Sequence, residues 1–415
     1  MSHAPVATLW VLMSPTSKTP AILALIGCGL GLLFASYSTL DYAQHLDRGL
    51  HDIHCSIIPG APVTEEAESC RAAMYSAYGA VMRESLWGGI PVSLFALGAY
   101  SFLAAFAVYL LVASARASAK AVRFFAVVST TPLLVSIFMF AIAVTELGEL
   151  CKTCVGLYIA SVLLALGGLL GLGTVKRTAF TDYPERPQAS ALLPLVWLVV
   201  LGGATLMPAL VYASSAPDHR PYLTQCGQIQ QIEDKTGSLL KFRSSGAVQT
   251  ALLVEDPLCA TCKAFHQRLE REGIMKRLNA TLVLFPLDSS CNWMLDRPLH
   301  VGACIVSKAI LCGGEKAYEV LEWAYDEQAY LLRAGKQGEG VLRAVINNRW
   351  GPSMLSCVDA RDTDAQLNRH LHFAAENSIP VSTPQMYLGR QRVCDEDTDI
   401  GLRFTLSQLA PEVLR

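Results

Sequence analysis

The sequence is short of charge: of its 415 residues only 16% are Asp, Glu, Lys or Arg, against 52% hydrophobic. So low a charged fraction is foreign to an ordinary soluble enzyme. A formal net charge of -2 offers no basic face, which excludes the electrostatic footprint of nucleic-acid binding. There is no Gly-rich phosphate loop, no internal repeat at a fixed period and no low-complexity tract. The N-terminus lacks a convincing cleavage site, so its first apolar run reads as a retained anchor. The apolar runs carry no charged side chain in their interiors, which removes the intramembrane charge that would mark the ion path of a transporter.

Five such runs are present, at 21–42, 86–113, 124–145, 154–175 and 191–213. A spanning helix needs roughly 20 apolar residues, because the hydrocarbon layer is about 30 Å thick and each residue rises about 1.5 Å. Basic residues set the orientation. Arg116, Lys120 and Arg123 follow the second run, and Lys176, Arg177 and Arg186 follow the fourth, so both connections read as cytoplasmic. The connection 41–87 carries Asp52, Glu65, Glu66 and Glu68 and reads as facing outward. The expected organisation is an inner N-terminus (1–20), a four-helix membrane domain (21–175) with outer loop 41–87, a cytoplasmic linker (176–190), a fifth spanning helix (191–213) and an exported domain (214–415). The 13 cysteines suit an oxidising envelope compartment better than a reducing cytosol.

In the outer domain 249–255 reads as a strand running into Asp256-Pro257-Leu258-Cys259, followed by a helical segment 263–277, a strand 282–287, a long helical region 299–376 and, after Thr383-Pro384, a strand 386–388. That order is of the α/β thioredoxin type. A nucleophilic thiol must be ionised, and a helix start favours thiolate through its unpaired N–H groups and dipole. Cys259 takes that place, with Cys262 on the same helical face as its reversible partner. The competing reading is half of a zinc site, but no second CxxC or His pair in this domain supplies the other ligands.

Leu253-Val254-Glu255-Asp256-Pro257-Leu258-Cys259-Ala260-Thr261-Cys262-Lys263, with Thr383-Pro384 far downstream, resembles the DsbA-like branch of the thioredoxin fold. The resemblance implies a cis peptide at Pro384 packed against the active disulfide, with Thr383 and Pro384 binding extended substrate. Ala260-Thr261 stands where strong oxidants commonly have Pro-His.

A second CxxC, Cys151-Lys152-Thr153-Cys154, opens the fourth run, with Cys154 about 4.5 Å deeper than Cys151. Cys55 and Cys70 lie in the outer loop. By spacing alone these four could be two structural disulfides. Their arrangement, with Trp87-Gly88-Gly89-Ile90-Pro91-Val92-Ser93 before the second helix, resembles vitamin K epoxide reductase homologues over about 21–175. The resemblance implies a four-helix bundle with a quinone, ubiquinone or menaquinone, beside the CxxC. It also places Ser76 near the quinone head group, although Ser85 lies closer to Pro91. Bacterial members are often fused to a thioredoxin-like domain. The resulting expectation is a disulfide-forming oxidase in the inner membrane of a bacterium, with its thioredoxin-like domain on the periplasmic side. It would take electrons from exported proteins or peptides with free thiols and pass them from Cys259 and Cys262 through Cys55, Cys70, Cys151 and Cys154 to the quinone pool. The competing functions are a disulfide reductase or isomerase and a thiol-dependent binding module on an inert anchor.

Seven cysteines remain. Cys28 reads as a packing residue inside the first run. Cys226, Cys291, Cys304, Cys312, Cys357 and Cys394 are an even set on the outer side, fit for structural disulfides, with Cys291–Cys304 the leading pair by proximity. His45, His51 and His54 read as solvated loop residues, and no metal is expected. Gly167, Gly168, Gly171 and Gly173 read as a close helix contact.

Overall fold

A computed structural model describes residues 17–45, 74, 76, 78–147, 151–178, 188 and 190–415. The chain divides into two compact units. One holds the residues up to Met82 with Gly89–Pro217, and the other holds Arg83–Gly88 with Asp218–Arg415.

The first unit is helical: α1 (Thr19–His45), a small antiparallel pair β1 (Ala80–Val81) and β2 (Ile90–Pro91), then α2 (Val92–Ala113), α3 (Ala119–Val128), α4 (Thr131–Ile142), α5 (Lys152–Thr178) and α6 (Leu193–Ser215). Five stretches are long and apolar enough to cross a membrane: Thr19–Ala43, Val92–Arg116, Ala119–Thr145, Lys152–Val175 and Leu193–Ser215. The protein is a multi-pass membrane protein.

Two spans differ from their sequence-based limits. The helix expected from residue 86 begins only at Val92, because Gly88 and Gly89 take φ values of 73° and 75°, which no helix accepts. Pro91, in an extended conformation, then precedes the first turn. The run expected at 124–145 starts earlier, where the Ser118 hydroxyl accepts from Ala121 N at 3.2 Å. It then breaks between α3 and α4, since Pro132 has no N–H to donate to the preceding turn. There the hydroxyls of Ser129, Thr130 and Thr131 donate to carbonyls three residues back.

Within this unit α1 packs on α5 and α2, α2 on α6, and α3 and α4 on α5. Small residues permit the approach. A Cβ at Gly27 would sit 2.6 Å from Leu164 N, one at Gly167 would sit 2.5 Å from Ala24 N, and one at Gly98 would overlap the Ala204 carbonyl. Cys28 is fully buried in this core. Phe106 stacks on Phe125 at 5.7 Å and meets Trp197 edge-on at 5.2 Å.

The second unit contains β3 (Leu240–Phe242), β4 (Gln249–Glu255), α7 (Ala260–Arg271), β5 (Leu278–Leu284), six helices α8–α13 (Ala303–Cys312, Ala317–Asp326, Gln328–Gln337, Glu339–Trp350, Pro352–Val358 and Arg361–Glu376), β6 (Gln385–Leu388), β7 (Gln391–Arg392) and α14 (Leu402–Leu409). The sheet order is β3-β5-β4-β6-β7, with β4 parallel to β5 and β6 antiparallel to β4. A parallel β-α-β unit followed by an antiparallel hairpin, with a helical insert between, is a thioredoxin-like α/β fold. The apolar run of β4 explains its central place. Ala251 and Leu253 enter one core and Leu252 and Val254 the other, so both faces are covered. Each fully buried Leu or Val there contributes roughly 1.5–3 kcal/mol.

Three expectations shift here. The helix expected at 263–277 is Ala260–Arg271, ending before Gly273 at φ 71°. The strand expected at 282–287 is Leu278–Leu284, since Pro286 has no N–H for a ladder. The helical region expected from residue 299 starts at Ala303 and is broken at Gly313, Gly338 and Gly351.

The six cysteines Cys226, Cys291, Cys304, Cys312, Cys357 and Cys394 of this unit form Cys226–Cys394, Cys291–Cys304 and Cys312–Cys357. The short segment Arg83–Gly88 is built into this unit. The Trp87 indole is 5% exposed, donates to Asp397 Oδ1 at 2.6 Å, and lies against Gly401 and the His219 ring. Arg403 bridges Glu84 and Glu272.

Candidate functional site: two cysteine pairs

In the thioredoxin-like unit β4 delivers the chain to a turn at Asp256-Pro257-Leu258, and Cys259 caps α7. The turn is held by the buried Asp256 carboxylate, which accepts from Leu258 N at 2.7 Å, Leu287 N at 2.8 Å and His300 Nδ1 at 2.7 Å. Cys259 is 6% exposed and Cys262 is fully buried, and both are thiols. The Thr261 hydroxyl lies 2.8 Å from Cys259 Sγ, and Thr383 O lies 3.7 Å from the same sulfur. The Thr383–Pro384 peptide is cis. The Thr383 hydroxyl is shielded from solvent and makes no hydrogen bond among the described residues. Cys259, Cys262, Thr383 and Pro384 therefore meet in one place.

The two thiols differ electrostatically. Hydrogen bonding from Cys262 foremost, with a smaller contribution from Thr261, pulls the Cys259 thiol down from 9.0 to about 6 against the effect of burial. Burial pushes Cys262 well above its ordinary value, and the neighbouring Cys259 sulfur and Glu255 carboxylate push it further. Cys259 is the nucleophile by this criterion and Cys262 the protonated partner. Iodoacetamide alkylation of the reduced protein should show this. Cys259 is expected to react half-maximally near pH 6, losing reactivity as the pH falls through that value, while Cys262 stays unmodified in the folded protein. A Cys259 midpoint near pH 9 would refute the assignment.

The second pair lies in the membrane unit. Cys151 precedes the first turn of α5, and its carbonyl accepts from Val155 N at 3.0 Å. Cys151 is buried and Cys154 half-buried. Cys151 Sγ lies 2.9 Å from Thr153 Oγ1, so each CxxC sets a threonine hydroxyl against its first sulfur. One turn beyond Cys154, Tyr158 meets Phe140 edge-on at 5.8 Å, which gives an aromatic wall with one phenol donor. Ser76 is half-buried in a turn before β1, where its carbonyl accepts from Gly79 N at 3.2 Å. Ser85 belongs to the other unit.

Cys55, Cys70, His51 and His54 lie outside the described residues, and the side chain of His45 is likewise not described. Among the described residues no group of three or more His, Cys, Asp or Glu is placed to hold a metal ion. The sequence reading missed Asp256 and His300 as the frame of the Cys259 turn, and the buried Glu255 and His266 behind Cys262. An acid closing an otherwise apolar strand, and a histidine one helical turn after Cys262, were the available signals.

Comparison with known proteins bears on both units. Residues 22–169 match the family model of the vitamin K epoxide reductase family. A search of curated proteins returned no match. Among solved structures the chain is similar to a thioredoxin-like oxidoreductase from Silicibacter pomeroyi, at 14% identity and a TM-score of 0.25, covering 38% of this chain and 83% of that one. The fold of the thioredoxin-like unit rests on its strand order and not on that superposition. Residues 22–169 thus match the vitamin K epoxide reductase family model and stand in one chain with a thioredoxin-like unit, a combination that supports an oxidoreductase.

Proposed function

We infer that this protein is a quinone-linked oxidase that makes disulfide bonds in exported proteins. The observation that carries the reading is the acidified, helix-capping Cys259 in the same chain as a vitamin K epoxide reductase domain with its own CxxC. A substrate thiolate attacks Cys259 of the oxidised pair, and Cys262 leaves with the electron pair. The substrate's second thiolate then attacks the substrate sulfur, forms the product disulfide and releases Cys259 as thiolate. Cys259 attacks Cys55 of a loop disulfide and expels Cys70, and Cys262 closes back on Cys259 as Cys55 leaves. Cys70 attacks Cys151 and expels Cys154, and Cys55 recloses the loop disulfide by displacing Cys151. Two electrons have then reached Cys151 and Cys154.

Those cysteines need a two-electron, two-proton acceptor soluble in the bilayer, which is the chemistry a quinone supplies when bound. The residues fit such a group. Tyr158 and Phe140 give an apolar aromatic setting, the Tyr158 hydroxyl can donate to a carbonyl oxygen, and Ser76 is the donor that the family resemblance assigns. Thr383 would hold extended substrate through its unengaged hydroxyl. The basic connections after the second and fourth spans favour a bacterial inner membrane protein with its thioredoxin-like unit on the periplasmic side. Tethering in one chain raises the effective concentration of the two partners, to the millimolar range for a flexible connection.

The test is quinol formation by the purified full-length protein supplied with a reduced dithiol peptide. Loss of quinone absorbance in step with peptide oxidation is expected. No change with either ubiquinone or menaquinone would overturn the reading, and electron flow from quinol to peptide disulfide would establish a reductase instead.

A further inference from the structure

A single loop, 285–302, joins β5 to α8 and carries a histidine back to the Cys259 turn. The loop is held at its far end. Leu299 N and His300 N both donate to Leu287 O, at 2.8 and 3.0 Å, and Gly302 N donates to Asp288 Oδ2 at 2.8 Å. The Cys291–Cys304 disulfide closes it, and Gly302 at φ 95° turns the chain into α8. His300 is thereby set against the turn, with Nδ1 2.7 Å from Asp256 Oδ2. The Asp256 side chain is wholly shielded from water, and that of His300 is 23% exposed.

Asp256 acts on Cys259 in two opposed ways. It builds the turn: its carboxylate accepts from Leu258 N and Leu287 N, and its carbonyl accepts from Cys259 N at 3.1 Å. It also puts a buried negative charge beside a sulfur that must itself become negative, and this charge pushes the Cys259 thiol up. In a medium of low dielectric such repulsion is large unless a cation offsets it. Ala260 and Thr261, between the two cysteines, supply no charge, whereas His300 does. Burial pulls its imidazole down, but the hydrogen bond to Asp256 and the Asp256 charge outweigh that, and Cys259 and Asp288 add to the rise. The imidazole therefore holds its proton beyond the ordinary histidine range, past the pH at which Cys259 ionises.

We propose that His300 is a positioning residue for the chemistry of Cys259: as an imidazolium held on Asp256, it offsets the charge of the carboxylate that builds the turn, so that the sulfur can carry a negative charge there. The proposal rests on the reading of Cys259 as the redox nucleophile, but holds for either direction of electron flow. Its effect is felt at both ends of an exchange. Cys259 attacks as thiolate. When a mixed disulfide on Cys259 is resolved, the bond between the substrate sulfur and Cys259 breaks, the electron pair stays on Cys259, and the new bond forms at the substrate sulfur. A thiolate stabilised in this way leaves faster and makes the Cys259–Cys262 disulfide the stronger oxidant.

The experiment is the pH profile of iodoacetamide alkylation of Cys259 in the reduced full-length protein, read by mass spectrometry beside the melting temperature. His300→Asn keeps a neutral N–H for Asp256 in place of Nδ1 and removes the charge. Its midpoint should rise from about 6 by about one pH unit, which slows alkylation about tenfold below the wild-type midpoint. His300→Lys restores a cation and should bring the midpoint back towards the wild-type value. An Asn variant with the wild-type midpoint would overturn the proposal. So would a Lys variant as high as the Asn variant, since that leaves His300 only a part in shaping the turn. Should both variants fail to fold, the reciprocal measurement decides, because coupling between two groups is mutual. In histidine-selective NMR the His300 imidazole should titrate at lower pH in Cys259→Ser than in the reduced wild type, and identical titrations would overturn the proposal. A wild-type Cys259 midpoint near pH 9 would instead remove the acidified nucleophile itself, an outcome distinct from a midpoint near pH 6 that His300 does not move.

Discussion

Cys259→Ser is expected to reduce thiol oxidation by more than about three orders of magnitude while leaving the fold intact. The size of the effect follows from ionisation. With its pKa lowered to about 6 the thiol is mostly thiolate at neutral pH, whereas a serine hydroxyl in the same place is essentially un-ionised and cannot form a mixed disulfide. Oxidation of a reduced peptide, read beside the melting temperature of the variant, measures it. Residual activity within tenfold of wild type would show that another cysteine meets the substrate. The companion Cys262→Ala keeps the nucleophile and deletes its partner, so mixed disulfides should accumulate on Cys259. Trapped in the native host, they would identify the substrates and the loop cysteine that follows.

Cys154→Ser is the second large effect and acts at the other end of the chain of exchanges. It should abolish quinol formation, by at least about 1000-fold, while dithiothreitol still reduces the Cys259–Cys262 disulfide at the wild-type rate. Cys154 is half-buried in the first turn of α5, one turn from Tyr158, and no other thiol in the described residues accompanies Cys151 there. An inert membrane anchor predicts undisturbed function in this variant, so retained turnover would favour the binding-module reading. Quinol formation and thiol reduction measured on one preparation separate the two.

The parts of this molecule that were legible in the sequence depend on neighbours in the chain. Spans show in uninterrupted apolar runs, and a CxxC at a strand-to-helix junction shows in seven consecutive residues. Cys291–Cys304 was readable because only 13 residues separate its members, whereas Cys226–Cys394 spans 168 and carries no local signal. The break before Pro132 and the late start of α2 were visible as Pro132 and Gly88-Gly89, but hydropathy hides both, since glycine and proline scarcely lower it. Glu255, His266 and Glu322 come from a strand and two helices, and only the packing of α7 and α9 against β4 brings them into one row. The threonine that both CxxC motifs place against the first sulfur was in plain view as Thr153 and Thr261. Its meaning required the hydroxyl–sulfur distances.

The docked segment Arg83–Gly88 also bears on biosynthesis. Trp87 leaves the ribosome 310 residues before its hydrogen-bond partner Asp397. The thioredoxin-like unit therefore takes in a segment made long before its own stretch of chain. It closes only when a tryptophan made before the second span is taken into a surface that includes Gly401 and Arg403, which are among the last residues synthesised. A thioredoxin-like unit expressed from Asp218 onward would therefore lack the Arg83–Gly88 segment that belongs to its fold.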